Sequence, residues 1–343
     1  MSRTFEDRVA DVRRLLRAAL AVYTDRRLVA SDIARSSGLT PEGVELGFAS
    51  LETDATTDEL RALVASAGDA GRVHVVLSAN VFVAALRAIA LARAAAERVT
   101  VRPSPRDPTL AQVLVERAAD PAITLTHERD VGVVVGEEVH VYGRNDTIAD
   151  VRARARPGVV VRGHGAGMGV AVISNRADIL VAADALAVDV AAFDQRGCLS
   201  PRVAFVRGDE AAASAFAAAL HERLGEWSRR VPRGSLSTQE HAEAARWRAT
   251  VSFAGRLWTA DDHAVGLAAT PTVPPAGRHV LVVPVSSRED LASELARLAR
   301  HVVAVGTDDP RERDASWPPN ARLSALGQMQ RPPLDGPVDR RGF

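Results

Sequence analysis

Hydrophobic positions near the start of the chain follow a helical period. In residues 5–23 the apolar side chains fall on one side of a helix, and residues 58–64 show the same period. From residue 73 the pattern changes to short runs rich in β-branched residues, which predict strands at 73–77, 99–102, 123–125, 131–135 and 139–141, with helices at 81–97 and 109–119. Alternating strands and helices predict an α/β fold with a parallel sheet covered on both faces.

A second block of alternating segments begins near residue 159. Strands are predicted at 159–161, 170–173, 203–206, 250–253, 256–259 and 279–285, and helices at 177–194, 210–231 and 287–301. The segment after Trp317 is rich in proline, and we expect it to be an ordered loop that packs against a neighbouring surface. The length of 343 residues predicts two domains, or one domain with a large second lobe.

The charge balance argues against nucleic acid and anionic membranes as partners. The chain has 43 basic and 43 acidic residues, and no lysine, so any phosphate must be held by arginine or by backbone N–H groups. Its first residues are charged and lack the apolar core of a signal peptide, and its longest apolar stretches are interrupted by charges. We therefore expect a cytoplasmic protein with no membrane span.

The single cysteine, Cys198, limits the possible chemistry more than any other residue. One thiol cannot form an intramolecular disulfide and is too few for a structural zinc site, and the histidines show no paired metal-ligand spacing, so no metal site is expected. Cys198 is then either a small core residue or a reactive thiol. Gly197 before it and Ser200-Pro201 after it indicate the end of a helix turning into a loop, where a thiol can meet a substrate.

Two predicted strands end in polar residues. Asn80 follows the strand at 73–77, where its amide would either point into the ligand crevice of a parallel sheet or cap the next helix. Arg102, Ser104 and Arg106 follow the strand at 99–102, where they would either hold a cofactor phosphate or form an ordinary proline-rich turn.

Two glycine-containing turns follow later in the chain. Gly143 lies in a strand-to-helix turn, whose N–H groups would either receive a phosphate or be capped by the neighbouring Asn or Asp. His164 lies in the glycine-rich loop 163–169, which would let the backbone approach a substrate closely. A lone histidine is also commonly a surface or structural residue.

The order and spacing of these motifs resemble the aldehyde dehydrogenase superfamily, and more closely its acyl-CoA reductase branch, typified by the LuxC-like fatty-acid reductase subunit of bacterial bioluminescence. The resemblance is carried by residues 78–82, 101–108, 141–143, 194–201 and 326–335. The segments around Cys198 and at 326–335 are the specific ones.

The resemblance implies an architecture of three parts. Residues 1–160 would form a helical N-terminus and a Rossmann-like cofactor-binding domain, and residues 161–310 an α/β catalytic domain that carries Cys198. Residues 311–343 would return to the interface. We also expect a homo-oligomer.

The resemblance also implies a cofactor and site residues. NADPH or NADH would be the hydride donor, Cys198 the nucleophile and Asn80 the oxyanion-hole amide, with Arg102 near the cofactor ribose. The cofactor-binding candidates are Ser78, Arg102, Ser104, Arg106 and Gly143. Counting back from Cys198, His164 stands where ordinary aldehyde dehydrogenases have their general-base glutamate. The arginines favour NADPH, because they suit a 2′-phosphate.

The chain departs from the superfamily pattern at that missing glutamate and at the Glu-x-Phe that positions the nicotinamide ribose, where residues 274–277 read Pro-Pro-Ala-Gly. The leading hypothesis is NAD(P)H-dependent reduction of an acyl thioester, carried by CoA or by an acyl-carrier protein, to an aldehyde through an acyl-cysteine intermediate. The alternatives are a non-reductive acyl transferase or thioesterase that uses Cys198, and a non-catalytic scaffold that keeps the fold.

Overall fold

Four helices open the chain and pack on the first half of the molecule. The computed structural model describes residues 3–79, 81–128 and 137–341. The helices are α1 (Phe5–Thr24), α2 (Ala30–Ser37), α3 (Pro41–Phe48) and α4 (Thr57–Ser66), with a short 3-10 turn at Arg26–Leu28. Capping boxes at Thr4 and Thr56 fix the starts of α1 and α4, because each threonine and the acidic residue three positions later satisfy the free N–H groups.

A five-stranded parallel sheet follows. Its strands are β1 (Ala70–Val76), β2 (Ala96–Arg102), β3 (Ile123–Leu125), β4 (Glu138–Tyr142) and β5 (Val160–His164), in the order β3-β2-β1-β4-β5. Helices α5 (Ala84–Ala95), α6 (Thr109–Ala118) and α7 (Asn145–Arg154) lie between the strands. This order is that of a dinucleotide-binding fold, in which ligands bind at the carboxyl edge where the strand order reverses, here between β1 and β4.

A seven-stranded sheet forms the second half. Its strands are β6 (Met168–Ile173), β7 (Pro201–Arg207), β8 (Arg256–Thr259), β9 (Ala264–Leu267), β10 (His279–Val285), β11 (Val302–Thr307) and β12 (Arg322–Ala325). The order is β12-β11-β6-β7-β10-β9-β8, and β8 is antiparallel to β9. The helices are α8 (Ile179–Ala191), α9 (Glu210–Arg230), α10 (Thr238–Ala254) and α11 (Arg288–Leu298), with 3-10 turns at Ala192–Gln195 and Pro310–Glu312.

The predicted α/β class with parallel strands is confirmed, but one predicted strand is wrong. Residues 250–253 form the end of α10, not a strand, because the capping box of Ser237 and Glu240 starts a helix whose many good helix formers outweigh the β-branched residues near its end. The predicted strand at 131–135 lies outside the described residues. The chain passes from the first sheet to the second between His164 and Met168, a few residues after the predicted boundary at 160.

The connection between the sheets determines where a site can form. After the carboxyl end of β5, only Gly165, Ala166 and Gly167 separate it from the amino end of β6. The turn that contains Cys198 lies just before the amino end of β7, the neighbour of β6. The carboxyl edge of the first sheet therefore faces the amino edge of the second across this short link.

Candidate active site

A cavity of about 270 Å³ lies between these two edges. From the first sheet it is lined by Ser78, Tyr142, Gly143 and His164, and from the cysteine turn by Gly197, Cys198 and Leu199. Residues of the C-terminal segment close another side, namely Gln330, Pro332, Val338 and Asp339. The two halves and the C-terminal segment thus each contribute side chains to one site.

The turn before Cys198 has an unusual backbone. Phe193, Asp194 and Gln195 all have positive φ, at 54°, 50° and 63°, a conformation that non-glycine residues rarely adopt. Such a conformation persists only where the surroundings hold it in place. The chain reverses here so that α8 ends beside the start of β7.

Side-chain bonds hold that turn in place. Asp194 pairs with Arg278 at 2.8 Å, with both side chains 1% exposed, and it accepts a 2.9 Å hydrogen bond from the backbone N–H of Gly234. The amide of Gln195 donates to the carbonyls of Pro201 and His279, both at 2.7 Å, and accepts from the N–H of His279. Cys198 is therefore presented by a turn that is fixed on both sides.

Cys198 is half-buried and borders the cavity. The pKa of its thiol is raised to about 11, chiefly by burial and then by the nearby carboxylate of Asp339, whereas Arg341 acts in the opposite direction. The resting residue is a protonated thiol at neutral pH. Because the thiolate is the nucleophile, the site must stabilise the anion when Cys198 reacts.

His164 is the imidazole that lies in the same cavity. Its ring stacks on that of Tyr142, with ring centres 4.3 Å apart and planes 9° apart, because the two residues are paired across β4 and β5. The pKa of His164 is lowered to about 4, chiefly by burial and then by His140. His164 is therefore neutral at pH 7 and able to accept a proton or a hydrogen bond.

The cofactor-binding candidates fall into two groups. Ser78 and Gly143 follow β1 and β4 and border the cavity, and the N–H of Gly143 donates to the carbonyl of His164 at 3.1 Å. Arg102 is the last residue of β2.

Ser104 and Arg106 lie in the following turn, where the hydroxyl of Ser104 accepts from the N–H of Arg106 at 3.3 Å. Neither these two residues nor Arg102 borders the cavity among the described residues. Asn80 lies outside the described residues.

Sequence reasoning missed the residues that anchor the C-terminal segment. Arg87, which is 4% exposed, pairs with Glu52 at 2.6 Å and donates to the backbone carbonyls of Pro332, Pro333 and Gly336. The signal in the sequence is the presence of Arg87 and Arg93 in a helix that is otherwise apolar, since buried arginines need partners.

The described residues contain neither a metal-binding cluster nor a membrane-spanning helix. No group of three or more His, Cys, Asp or Glu side chains is arranged to hold a metal ion. In the same residues, no helix is both long enough and apolar enough to cross a lipid bilayer.

Solved structures similar to this chain are aldehyde dehydrogenases and related oxidoreductases. A putative aldehyde dehydrogenase from Burkholderia cenocepacia has a TM-score of 0.72 at 16% identity, covering 93% of this chain and 77% of its own. An NAD-dependent benzaldehyde dehydrogenase from Corynebacterium glutamicum has a TM-score of 0.72 at 14% identity, covering 93% and 81%. An oxidoreductase from Marinobacter aquaeolei has a TM-score of 0.71 at 12% identity, covering 99% and 84%. At these identities the likeness shows the fold.

The family is shown by sequence. No curated protein matches the chain. The family model described as acyl-CoA reductase (LuxC) matches residues 62–316, which is more than half of the chain and includes Cys198 and His164. The chain belongs to the LuxC acyl-CoA reductase family.

Proposed function

We propose that this protein reduces an acyl thioester to an aldehyde through an acyl group carried on Cys198, with a nicotinamide cofactor as hydride donor. The observation that carries the proposal is the position of the chain's one thiol on a cavity between a dinucleotide-binding sheet edge and the second sheet, with His164 on the same cavity. The LuxC family match supports the acyl thioester as substrate class.

The first step is acyl transfer to Cys198. Its sulfur attacks the carbonyl carbon of the thioester, a new C–S bond forms, and the carrier leaves as a thiolate that takes up the proton lost by Cys198. Exchange between two thiols needs little acid–base assistance because a thiolate is a good leaving group. His164, neutral at pH 7, is the proposed relay for that proton.

The second step breaks the bond between Cys198 and the reduced acyl carbon. Once the carbonyl carbon has gained a hydride, its oxygen carries negative charge, and collapse of this thiohemiacetal releases the aldehyde and returns the thiolate. Asn80 is the proposed donor to that oxygen, together with the backbone N–H of Cys198. One such donor typically contributes about 3–4 kcal/mol to the transition state.

The residues at the carboxyl edge of the first sheet fit a dinucleotide. Ser78, Gly143 and Arg144 border the cavity at the point where the strand order reverses, and α7 begins there. The start of such a helix favours a phosphate. The chemistry that a bound nicotinamide supplies is hydride donation to the acyl carbon.

We propose NADPH as the preferred donor, with NADH as the alternative, because Arg102 ends β2, Arg106 follows it, and both would suit a 2′-phosphate. Arg102→Ala should lower the ratio of kcat/KM for NADPH to that for NADH. The exposed Arg98, four residues earlier in β2, is the matched control. If the ratio is unchanged in Arg102→Ala, the proposed preference for NADPH is wrong, whereas the proposed reduction of a thioester still stands.

The apolar part of the cavity is the proposed site of the acyl chain. It is lined on one side by α5 and the turn before it, through Val81, Phe82, Ala84, Ala88 and Leu91. Small residues at the positions that face inward along the helix leave room for an aliphatic chain. The carrier, CoA or an acyl-carrier protein, would enter from the open side.

Intact mass measurement tests the proposal, because the chain has one thiol. Exposure of the whole protein to acyl-CoA substrates of increasing length should add one acyl group, and Cys198→Ser should gain none. Adding NADPH should discharge the adduct and release one aldehyde per NADPH consumed. Free acid formed without cofactor, and no aldehyde, would favour a thioesterase. Failure of the folded protein to acquire any acyl group would favour a non-catalytic scaffold.

A further inference from the structure

The last part of the C-terminal segment lies against the thiol. Val338 and Cys198 pack on the same apolar cluster, which consists of Leu199, Val303, Ala304 and Met329. The next residue, Asp339, is 5% exposed and borders the same cavity as Cys198 and His164. A carboxylate is thus buried beside a residue that must become an anion to react, which is unfavourable unless a cation balances it.

Arg341 is that cation. Its guanidinium donates to both carboxylate oxygens of Asp339, with Nε 2.8 Å from Oδ1 and Nη2 2.7 Å from Oδ2. Its backbone N–H also donates to Oδ1, at 3.1 Å. The same side chain donates to the carbonyls of Arg300 and Ala166, at 2.7 and 3.1 Å. Ala166 belongs to the loop that follows His164, so the ion pair is fixed to the wall of the active site.

The charged side chains that shift the pKa of Cys198 most belong to the C-terminal segment. Beyond burial, Asp339 raises the pKa of the thiol, whereas Arg341 and Arg322 lower it. Arg322 is occupied by Asp335 at 2.8 Å and by backbone carbonyls of residues 336–338. The other titratable side chains on the cavity are Glu52, Arg87, Asp107, Tyr142, Arg144, His164, Arg196 and Arg202.

We infer that the ion pair of Asp339 and Arg341 controls the reactivity of Cys198, with Asp339 holding the sulfur in its thiol form and Arg341 stabilising the thiolate. Both residues are positioning residues, since they act through Cys198. The inference rests on the proposed role of Cys198 as the nucleophile. It assigns to this segment a part in the chemistry as well as in closing the cavity.

The pH dependence of alkylation tests the inference directly. Iodoacetamide reacts with the thiolate, and the chain has one cysteine, so the rate measured by intact mass reports on Cys198 alone. Arg341→Gln leaves the carboxylate of Asp339 uncompensated and should move the midpoint of the profile upward. Asp339→Asn frees Arg341 and should move it downward. We expect shifts of about half to one pH unit, equivalent to a three- to tenfold change in thiolate fraction below the midpoint.

Because the two variants should shift the midpoint in opposite directions, the experiment distinguishes an effect of charge from structural damage. A loosened C-terminal segment would expose Cys198 and accelerate alkylation in both variants. Arg340→Gln is the matched control, because Arg340 is adjacent in sequence but pairs with Asp335, and it should leave the profile unchanged. The double variant Asp339→Asn/Arg341→Gln should return toward wild type.

Shifts in the same direction, or shifts no larger than that of Arg340→Gln, would overturn the inference. Alkylation needs neither thioester nor cofactor, so this outcome is independent of the proposed function. If the wild-type protein fails to acquire an acyl group from acyl-CoA, the proposed function fails even where the alkylation profiles shift as expected.

Discussion

The first sheet buries charged and imidazole side chains within its strands, whereas the central strands of the second sheet bury aliphatic ones. In the first sheet His74, Glu138 and His140 are all buried, on the neighbouring strands β1 and β4. In the second, residues 170–173 and 203–206 are buried Val, Ala, Ile and Phe on both faces. The two sheets thus differ at their centres, because β1 and β4 bury ionisable side chains between aliphatic ones and β6 and β7 do not.

The difference matches what each sheet does for the site. The second sheet supplies a rigid apolar support for the site. The buried polar contacts beside it, those of Asp194 and Gln195, hold the turn that presents Cys198. The first sheet carries ionisable groups that end at Tyr142 and His164, so protonation within it reaches the cavity. We therefore expect variants in the two halves to differ in kind. Variants in the second half should change stability through packing and ion pairs, and variants in the first half should change how stability depends on pH.

The largest expected effect is that of Asp194→Ala. Removing this carboxylate leaves Arg278 as a buried charge without its partner, which typically costs about 3–5 kcal/mol of the free energy of unfolding. All four tryptophans lie in the second half, at positions 227, 247, 258 and 317. The loss should therefore appear as a lower midpoint of the tryptophan-monitored urea transition.

Glu294→Ala is the control for this variant. Glu294 pairs with Arg297 at 2.9 Å in the same half, with the arginine side chain 54% exposed, and exposed pairs contribute less than about 1 kcal/mol. Equal effects of Asp194→Ala and Glu294→Ala would contradict the view that the cysteine turn depends on its buried ion pair.

The next expected effect belongs to the first sheet and depends on pH. Burial acts to raise the pKa of Glu138, but hydrogen bonds from Arg162 and His140 outweigh it and lower the pKa to about 2. The stabilisation from a carboxylate whose pKa falls on folding is present above its unfolded value near 4.5 and is lost as pH falls toward 2. The wild-type protein should lose on the order of 3 kcal/mol over this window.

Glu138→Gln should remove this dependence, because it lacks the charge at every pH. The measurement is far-UV circular dichroism during urea unfolding at pH 7, 4 and 3, with the exposed Glu116→Gln as control. A tryptophan-monitored transition that moves as much as the dichroism would show that the two halves unfold as one unit. A pH dependence in Glu138→Gln equal to that of wild type would assign the acid sensitivity to other groups.

The sequence predicted the sheets better than the site, for a physical reason. Strands such as β7 and β10 are short apolar runs between turn signals, and local pattern is enough to find them. The positive φ at Phe193, Asp194 and Gln195 has no local signal, because these are not glycines and tertiary bonds impose their conformation.

Contacts between residues far apart in the sequence could not be predicted either. Asp339 borders the same cavity as Cys198, about 140 residues away in sequence, and Arg341 pairs with Asp339. Nothing in their own sequence neighbourhood marks either residue as part of a site. The residue types and turns pointed to Cys198, His164 and Gly143, and the resemblance added Ser78; all four border the cavity. The side chains that tune them carry no such signal in the sequence.

The smallest expected change in stability belongs to Tyr142, where the two halves meet. Its hydroxyl is buried and has no hydrogen-bond partner among the described residues, and burial raises its pKa, so the neutral form is held in the cavity wall. Tyr142→Phe should alter the free energy of unfolding by less than about 1 kcal/mol, because it removes an unsatisfied polar atom and keeps the ring that stacks on His164. Tyr142→Leu, the control, loses that stacking and should cost about 0.5–1.5 kcal/mol more.

A stable Tyr142→Phe protein with much reduced turnover would mean that the hydroxyl bonds to a ligand, and the polar character of the first sheet would then extend into the reaction itself. If Tyr142→Phe instead destabilises the protein by several kcal/mol, the hydroxyl has a structural hydrogen-bond partner. The region where the halves meet would then serve stability, as the packed second sheet does.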